Sequence, residues 1–148
     1  MLWFLLPGSI VRVFLTKSMA RFVGREEISD ASLCEAIGRA ERGLIDTALG
    51  SGLIKQRMAR RGRGKSGGNR TLIGYLRGDR AVFVFGFAKK DREGINTDAL
   101  AFVRGVATGW LDASDAAIEF AQASGTFQEV FHGGEEFKMD WRDAGNGR

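Results

Sequence analysis

The sequence predicts an α+β domain: a small antiparallel β-sheet built from an N-terminal strand and a three-stranded meander, with two N-terminal helices before the meander and C-terminal helices after it. Two patterns and one argument from size carry this reading. Residues 53–60, 70–77 and 80–88 are short runs of alternating or β-rich composition, separated by a glycine-rich stretch and by Gly78-Asp79, as consecutive antiparallel strands are. On either side, apolar residues recur at helical spacing: Leu33, Ala36, Ile37 and Ala40 before the meander, Leu100, Val103, Val106 and Trp110 after it. A chain of 148 residues with 44% hydrophobic content can bury one sizeable core, and a second independent domain would be hard to fit.

Taken in order, residues 10–15 (IVRVFL) alternate β-branched and aromatic side chains around Arg12 and form the first strand. A short helix follows over residues 17–25. Ser29, or Ser32 with Glu35 three residues on, opens the second helix, and Gly43 stands at its C′ position. Cys34, next to the apolar stripe, is a small buried or half-buried hydrophobe, because no His or Asp is placed nearby to activate a thiolate. Over residues 53–60 the alternation sets Ile54, Gln56 and Met58 on one side, and Leu53, Lys55, Arg57 and Ala59 on the other. Residues 61–69 hold Gly62, Gly64, Gly67 and Gly68 and predict a mobile basic loop, since glycine loses much backbone entropy in a regular element and packs nothing. Residues 70–77 and 80–88 complete the meander around a two-residue turn at Gly78-Asp79. Asn96 or Thr97 caps a helix reaching to about residue 111, Asp112 or Ser114 starts another that ends near Gly125, and residues 127–131 form a last short strand. Residues 1–10 are an N-terminal extension, 11–131 the domain, and 132–148, where the pattern is lost, a disordered tail.

Composition narrows the chemistry. One Cys and one His exclude a disulfide framework and leave too few ligands for a structural zinc site, so no metal or other cofactor is expected and a reducing cytoplasm is the simplest setting. The opening MLWFLLPGSI lacks a positive n-region, is interrupted by Pro7 and Gly8, and is too short to span a bilayer, so neither a signal peptide nor a membrane partner is expected. An isoelectric point near 9.6 fits an anionic partner, although composition alone does not distinguish RNA, DNA, a membrane surface or an acidic protein.

The charge pattern is more specific. Residues 55–70, KQRMARRGRGKSGGNR, carry seven Lys/Arg and no acid, and the acid-free window from Thr47 to Gly78 adds Arg77. The whole protein has a formal charge of +4, so the chain without those eight cations stands at −4. Basicity is therefore a local patch, the electrostatic footprint of a surface that binds phosphate backbone and releases its counterions. Gly64-Lys65-Ser66 is not a phosphate-binding P-loop, because Ala59 occupies the position of the first glycine and a strand, not a helix, follows. His132 sits in a Gly-Gly-Glu-Glu context outside any periodic segment and is a solvated tail residue rather than a general base.

The stretch IKQRMARRGRGKSGGNRTLIGYL, then a hairpin and FVFGFAKKDREGI, resembles the RelE/ParE superfamily of type II toxin–antitoxin toxins, and within it the HigB-like RelE toxins, over about residues 12–111. ERGLID, residues 41–46, is also similar to that branch. The resemblance implies a RelE-like fold and a small cytoplasmic toxin that enters the ribosomal A site, cuts mRNA as a metal-independent endoribonuclease, and is neutralised by a cognate antitoxin, for which a helix-turn-helix protein is the class to seek. Some relatives poison DNA gyrase instead. A non-catalytic nucleic-acid-binding module or an inactivated toxin is a third reading. By the same resemblance Lys55 and Arg57 match two catalytic cations on the strand before the loop, Arg70 the arginine that ends the loop, and Lys90 a cation after the last meander strand. Arg60, Arg61, Arg63, Lys65 and Lys89 are expected to contact the RNA backbone. Asn96 stands where well-studied nucleases of the family place a tyrosine.

RNA can be cleaved by its own 2′-hydroxyl, so such an enzyme needs to position the strand, neutralise the phosphorane and assist two proton transfers. Lys55 takes the base-like role in this reading, Arg57 and Arg70 the phosphate, and Lys90 the leaving oxygen.

Overall fold

The computed structural model describes residues 11–60, 64–88 and 95–131, with side chains for all of these except residues 59, 60 and 64–67. The expected extension 1–10 and tail 132–148, with His132, lie outside the described residues. The elements are β1 (Arg12–Thr16), α1 (Lys17–Glu26), α2 (Asp30–Glu41), β2 (Thr47–Ala48), β3 (Leu53–Arg60), β4 (Gly64–Leu76), β5 (Arg80–Ala88), α3 (Thr97–Asp112), α4 (Asp115–Ala123) and β6 (Phe127–Val130). No helix among the described residues is long and apolar enough to cross a membrane.

The strands form one six-stranded sheet in the order β2-β3-β4-β5-β1-β6. The meander β3-β4-β5 is antiparallel as expected, but β1 runs parallel to β5, so the sheet is mixed. Burial explains that central place: Val13, Phe14 and Leu15 are all buried, a continuous apolar run that needs cover on both faces. Val13 and Leu15 join the core under α1 and α2, with Ile37, Ile54 and Ile73. Phe14 joins the opposite core under α3 and α4, with Leu53, Leu72 and Ile118. There Phe127 is stacked between Phe14, at 4.9 Å between ring centroids, and Trp110, at 3.9 Å. β6 is tied to β1 by a two-pronged Arg12–Glu129 pair, 2.9 and 2.8 Å.

Local sequence sets the helix ends. Thr16, Ser29, Asn96 and Ser114 are N-caps whose side chains accept from Met19, Ser32, Ala99 and Ala117 N–H groups, satisfying donors that a first turn leaves open. Two glycines allow the layers to close. A Cβ on Gly86 would lie 2.3 Å from the Phe22 ring, and one on Gly74 would lie 2.9 Å from Ala107 Cβ, so α1 and α3 each rest directly on backbone.

Besides the parallel β1, the structure departs from expectation at the loop, the hairpin turn and one added strand. Residues 64–69, placed in the loop, belong to β4: Asn69 pairs with Met58 and Gly64 with Arg60, across an irregularity that sets residues 65–68 opposite residue 59 alone. Pairing at Gly64 and Asn69 helps offset the entropy that glycine loses there. The β4–β5 turn spans three residues, 77–79, rather than two, with Gly78 at φ 74° and Asp79 N–H donating to Leu76. β2, too short to show periodicity, is an added edge strand.

Tyr75 anchors the hairpin to α2. Its hydroxyl donates to the Glu41 carboxylate, which also accepts from Gly78 N–H, while Arg77 donates to the Glu41 carbonyl. Burial first, and the Glu41 hydrogen bond second, push the Tyr75 phenol well above its ordinary value. The fold thus favours the protonated phenol, and this contribution is complete below the unfolded value of 10.0 and declines as pH rises beyond it. Urea unfolding across that alkaline range is expected to show a loss of stability that Tyr75→Phe, which titrates nothing, largely lacks.

Candidate nucleic-acid interface

The sidedness read from residues 53–60 holds for the described side chains. Ile54 and Met58 are buried against α1 and α2, while Leu53 is buried in the core under α3 and α4. Alternation therefore places Lys55 and Arg57 on the α3 face of β3. On β4, Leu72 shares that face, and so does Arg70 two residues before it. Register then brings the cations together: Arg57 pairs directly with Arg70, and Lys55 lies opposite Leu72, diagonal to Arg70. Arg57 is exposed, and Lys55 and Arg70 are half-buried. Like charges directly opposite in a sheet are destabilising, on the order of 0.2–1 kcal/mol. The fold keeps this pair at the end of the sheet that α3 leaves open, since α3 crosses from Val84 and Phe85 to Gly74, and Arg104 reaches back to the Leu49 carbonyl at 2.6 Å.

β3 is held firmly where the cations project. Gln56, fully buried, accepts from Asp46 N–H at 2.7 Å and donates to the Ala36 and Leu44 carbonyls at 3.0 and 3.2 Å. Past the end of β2, side chains continue the ladder: Arg57 N–H donates to Asp46 Oδ2 at 2.6 Å, and Arg39 Nη2 donates to the Arg57 carbonyl, also at 2.6 Å. Arg39 is oriented in turn by Glu35, four residues back, and by Asp46 at 3.7 Å. Both backbone groups of Arg57 are thereby clamped, which limits the directions its side chain can take. Residue-by-residue reading missed Arg39 and Asp46 as positioning groups. One signal was present, an amide at Gln56 on the otherwise apolar side of its strand, which needs partners from a neighbouring segment.

On the other side of Arg70 stands β5, with Phe87 directly opposite Arg70 and Phe85 opposite Leu72. A bulge here leaves Val84 unpaired, because Leu72 pairs with Phe85 and Ile73 with Phe83. Both Val84 and Phe85 consequently face α3, where strict alternation would send only one. The Val84 carbonyl, displaced from the ladder, accepts from Thr16 Oγ1 at 2.9 Å.

Of the other expected site residues, Arg60 and Lys65 lie on β3 and β4, with only their backbone described. Arg61, Arg63, Lys89 and Lys90 lie outside the described residues. Asn96 caps α3, a structural duty. Cys34 is half-buried against the core under α1 and α2. Among the described residues no group of His, Cys, Asp or Glu could hold a metal ion.

The clamp makes a prediction. Asp46→Ala removes a charge-assisted acceptor and is expected to lower stability by about 1–2 kcal/mol. In hydrogen exchange, the Arg57 amide is expected to lose protection while that of Leu53, bonded to Gly50, keeps it. Asp46→Asn, which retains an acceptor oxygen, is expected to preserve most of both.

The profile described as the RelE toxin of the RelE/RelB toxin–antitoxin system matches residues 11–130, from the residue before β1 to the last residue of β6. No curated protein matches the chain. The matched span holds every described strand and helix, and the chain belongs to the RelE toxin family, whose members work with a cognate antitoxin.

Proposed function

We propose that this toxin is a metal-independent, ribosome-dependent mRNA endonuclease of the HigB-like RelE branch, acting in the cytoplasm and held inactive by an antitoxin that covers its cationic face. The observation that carries the reading is the register of β3 and β4, which sets Arg57 opposite Arg70 with Lys55 on the diagonal. Three cations on one face, paired despite their repulsion, suit a ligand whose charge is concentrated on a phosphate.

The chemistry follows from the groups available. A 2′-hydroxyl of the mRNA attacks its own phosphorus, Lys55 assists removal of the hydroxyl proton, and Arg57 and Arg70 balance the extra negative charge of the phosphorane. Lys90 serves the leaving 5′-oxygen. Arg60, Arg61, Arg63, Lys65 and Lys89 hold the backbone on either side. The ribosome contributes positioning by presenting a splayed strand in the A site.

The antitoxin is proposed to be a helix-turn-helix protein encoded beside the toxin. Expression without it is expected to arrest growth and leave translated messages cut at defined codon positions. Growth arrest with intact mRNA and a DNA-damage response would assign the toxin to gyrase instead.

Loop and strand cations are expected to separate in single-turnover assays. Replacing Arg61 and Arg63 should weaken ribosome or RNA binding and reduce its salt dependence by about one unit of log–log slope for each phosphate no longer neutralised, leaving cleavage at saturation intact. Replacing Arg70, or Lys55 and Arg57 together, should reduce the rate at saturation, about tenfold for each 1.4 kcal/mol of transition-state stabilisation removed. Variants that all altered affinity alone would show the strand cations to be a general phosphate-binding face.

A further inference from the structure

Beside the cations lies a groove that the nuclease reading does not use. It encloses about 350 Å³ between β5 and the start of α3, and is lined mainly by Val84, Phe85, Ile95, Phe102 and Val106, with Ser18 at its rim. Phe102 is 72% exposed, as is Phe120 at 74%, but Phe102 stands at the edge of an apolar slot. The bulge at Val84 builds the floor, since it turns two consecutive apolar residues toward α3.

Strand register relates the groove to the cationic row. From Arg57 the register runs to Arg70, from Arg70 to Phe87, and from Phe87 to Phe85 two residues along the same strand, with 6.2 Å between the Phe85 and Phe87 ring centroids. Two helices also begin at its edges. Ser18 stands in the first turn of α1, and Ile95 and Ala99 flank the Asn96 cap of α3. The positive ends of both helix dipoles therefore raise the potential around an apolar slot, an effect that Asp98 in the first turn of α3 partly offsets and that exposed Lys17 reinforces.

Cations that track a backbone, next to aromatic surface for flat rings, are the pairing by which proteins hold single-stranded nucleic acid. We propose that this groove takes one unstacked nucleobase of the RNA strand whose phosphates lie on Arg57 and Arg70, with the exposed Phe102 ring and Phe85 providing the stacking surfaces. The proposal rests on the RNA-binding reading above. A docked peptide helix is the less suitable occupant, because it lays down a row of side chains over two or more turns, whereas this volume suits a single planar group and its sugar.

The test uses the full-length toxin and short single-stranded oligoribonucleotides in low salt, either intact or abasic at one position, with 2-aminopurine scanned along the strand as the fluorescent probe. Phe102→Ala is the main variant, since its exposure allows truncation without loss of core. Phe85→Leu is the second, with circular dichroism and urea unfolding to verify that each is folded. Phe102→Ala is expected to weaken binding of the intact strand about five- to a hundredfold, the loss of one base–aromatic stack, without changing the salt slope. It is also expected to abolish the fluorescence change at one probe position and to leave binding of the matching abasic strand unaltered. Equal losses for intact and abasic strands, no loss for either, or a loss seen only with an antitoxin peptide would overturn the base site. The RNA-binding reading has its own arm: it fails if replacing Arg61 and Arg63 together leaves affinity and salt slope at wild-type values, whatever the abasic comparison gives. A wild-type protein that binds no strand overturns both.

Discussion

The β3–β4 register is the constraint on which the rest of this structure depends. It is enforced from the opposite face of the sheet, where Ile54 meets Ile73 and Gln56 meets Thr71, whose hydroxyl donates to the Gln56 carbonyl at 3.1 Å. A slip of one residue would send Lys55 and Arg57 into the core under α2 and bring Ile54 and Met58 out to the other side. Hydrophobic burial thus sets two like charges directly opposite each other, and the Asp46–Arg39 clamp on Arg57 holds the strand edge where β2 has ended.

Departures from ideal structure gather at this same end of the sheet. Arg57 faces Arg70, β4 carries an irregularity opposite residue 59, β5 bulges at Val84, and the fully buried Asn69 amide finds no hydrogen-bond partner among the described residues. At the opposite end, Tyr75, Gly78 and Arg77 all donate to Glu41, and Arg80 closes α3 by donating to the Trp110 and Ala113 carbonyls. Irregularities thus gather where the cations and the groove are exposed, as expected when a binding surface sets the residues at one end of a fold.

Much of this was legible because it is written in local patterns. Caps at Ser29, Asn96 and Ser114, each one of two candidates in the sequence, the helical stripes of α2 and α3, and the two-sided reading of β3 each depend on residues within a few positions of one another. Lys55, Arg57 and Arg70 stood out by charge alone, and the resemblance grouped them, while their direct opposition needed the register. Other features needed tertiary information. Residues 64–69 carry poor strand propensity, yet extend β4 because Gly64 and Asn69 find partners in Arg60 and Met58 of β3. The bulge at Val84 has no marker in RAVFVFGFA, and the parallel pairing of β1 with β5 joins segments about 70 residues apart. Asp46 and Arg39 act through the backbone of a third residue, so no spacing between them reveals the clamp.

The central claim is that the Arg57–Arg70 pair is kept for phosphate chemistry against its cost to the fold, and urea unfolding of the wild type and Arg57→Thr at increasing salt tests it most directly. At low salt the variant is expected to be more stable by about 0.2–1 kcal/mol, since it relieves a like-charge pair and places a good strand former on β3. That gap should narrow as salt rises and the Debye length falls to about 3 Å near 1 M. The same variant should no longer arrest growth in cells. A variant less stable than wild type at low salt, with toxicity intact, would contradict the account.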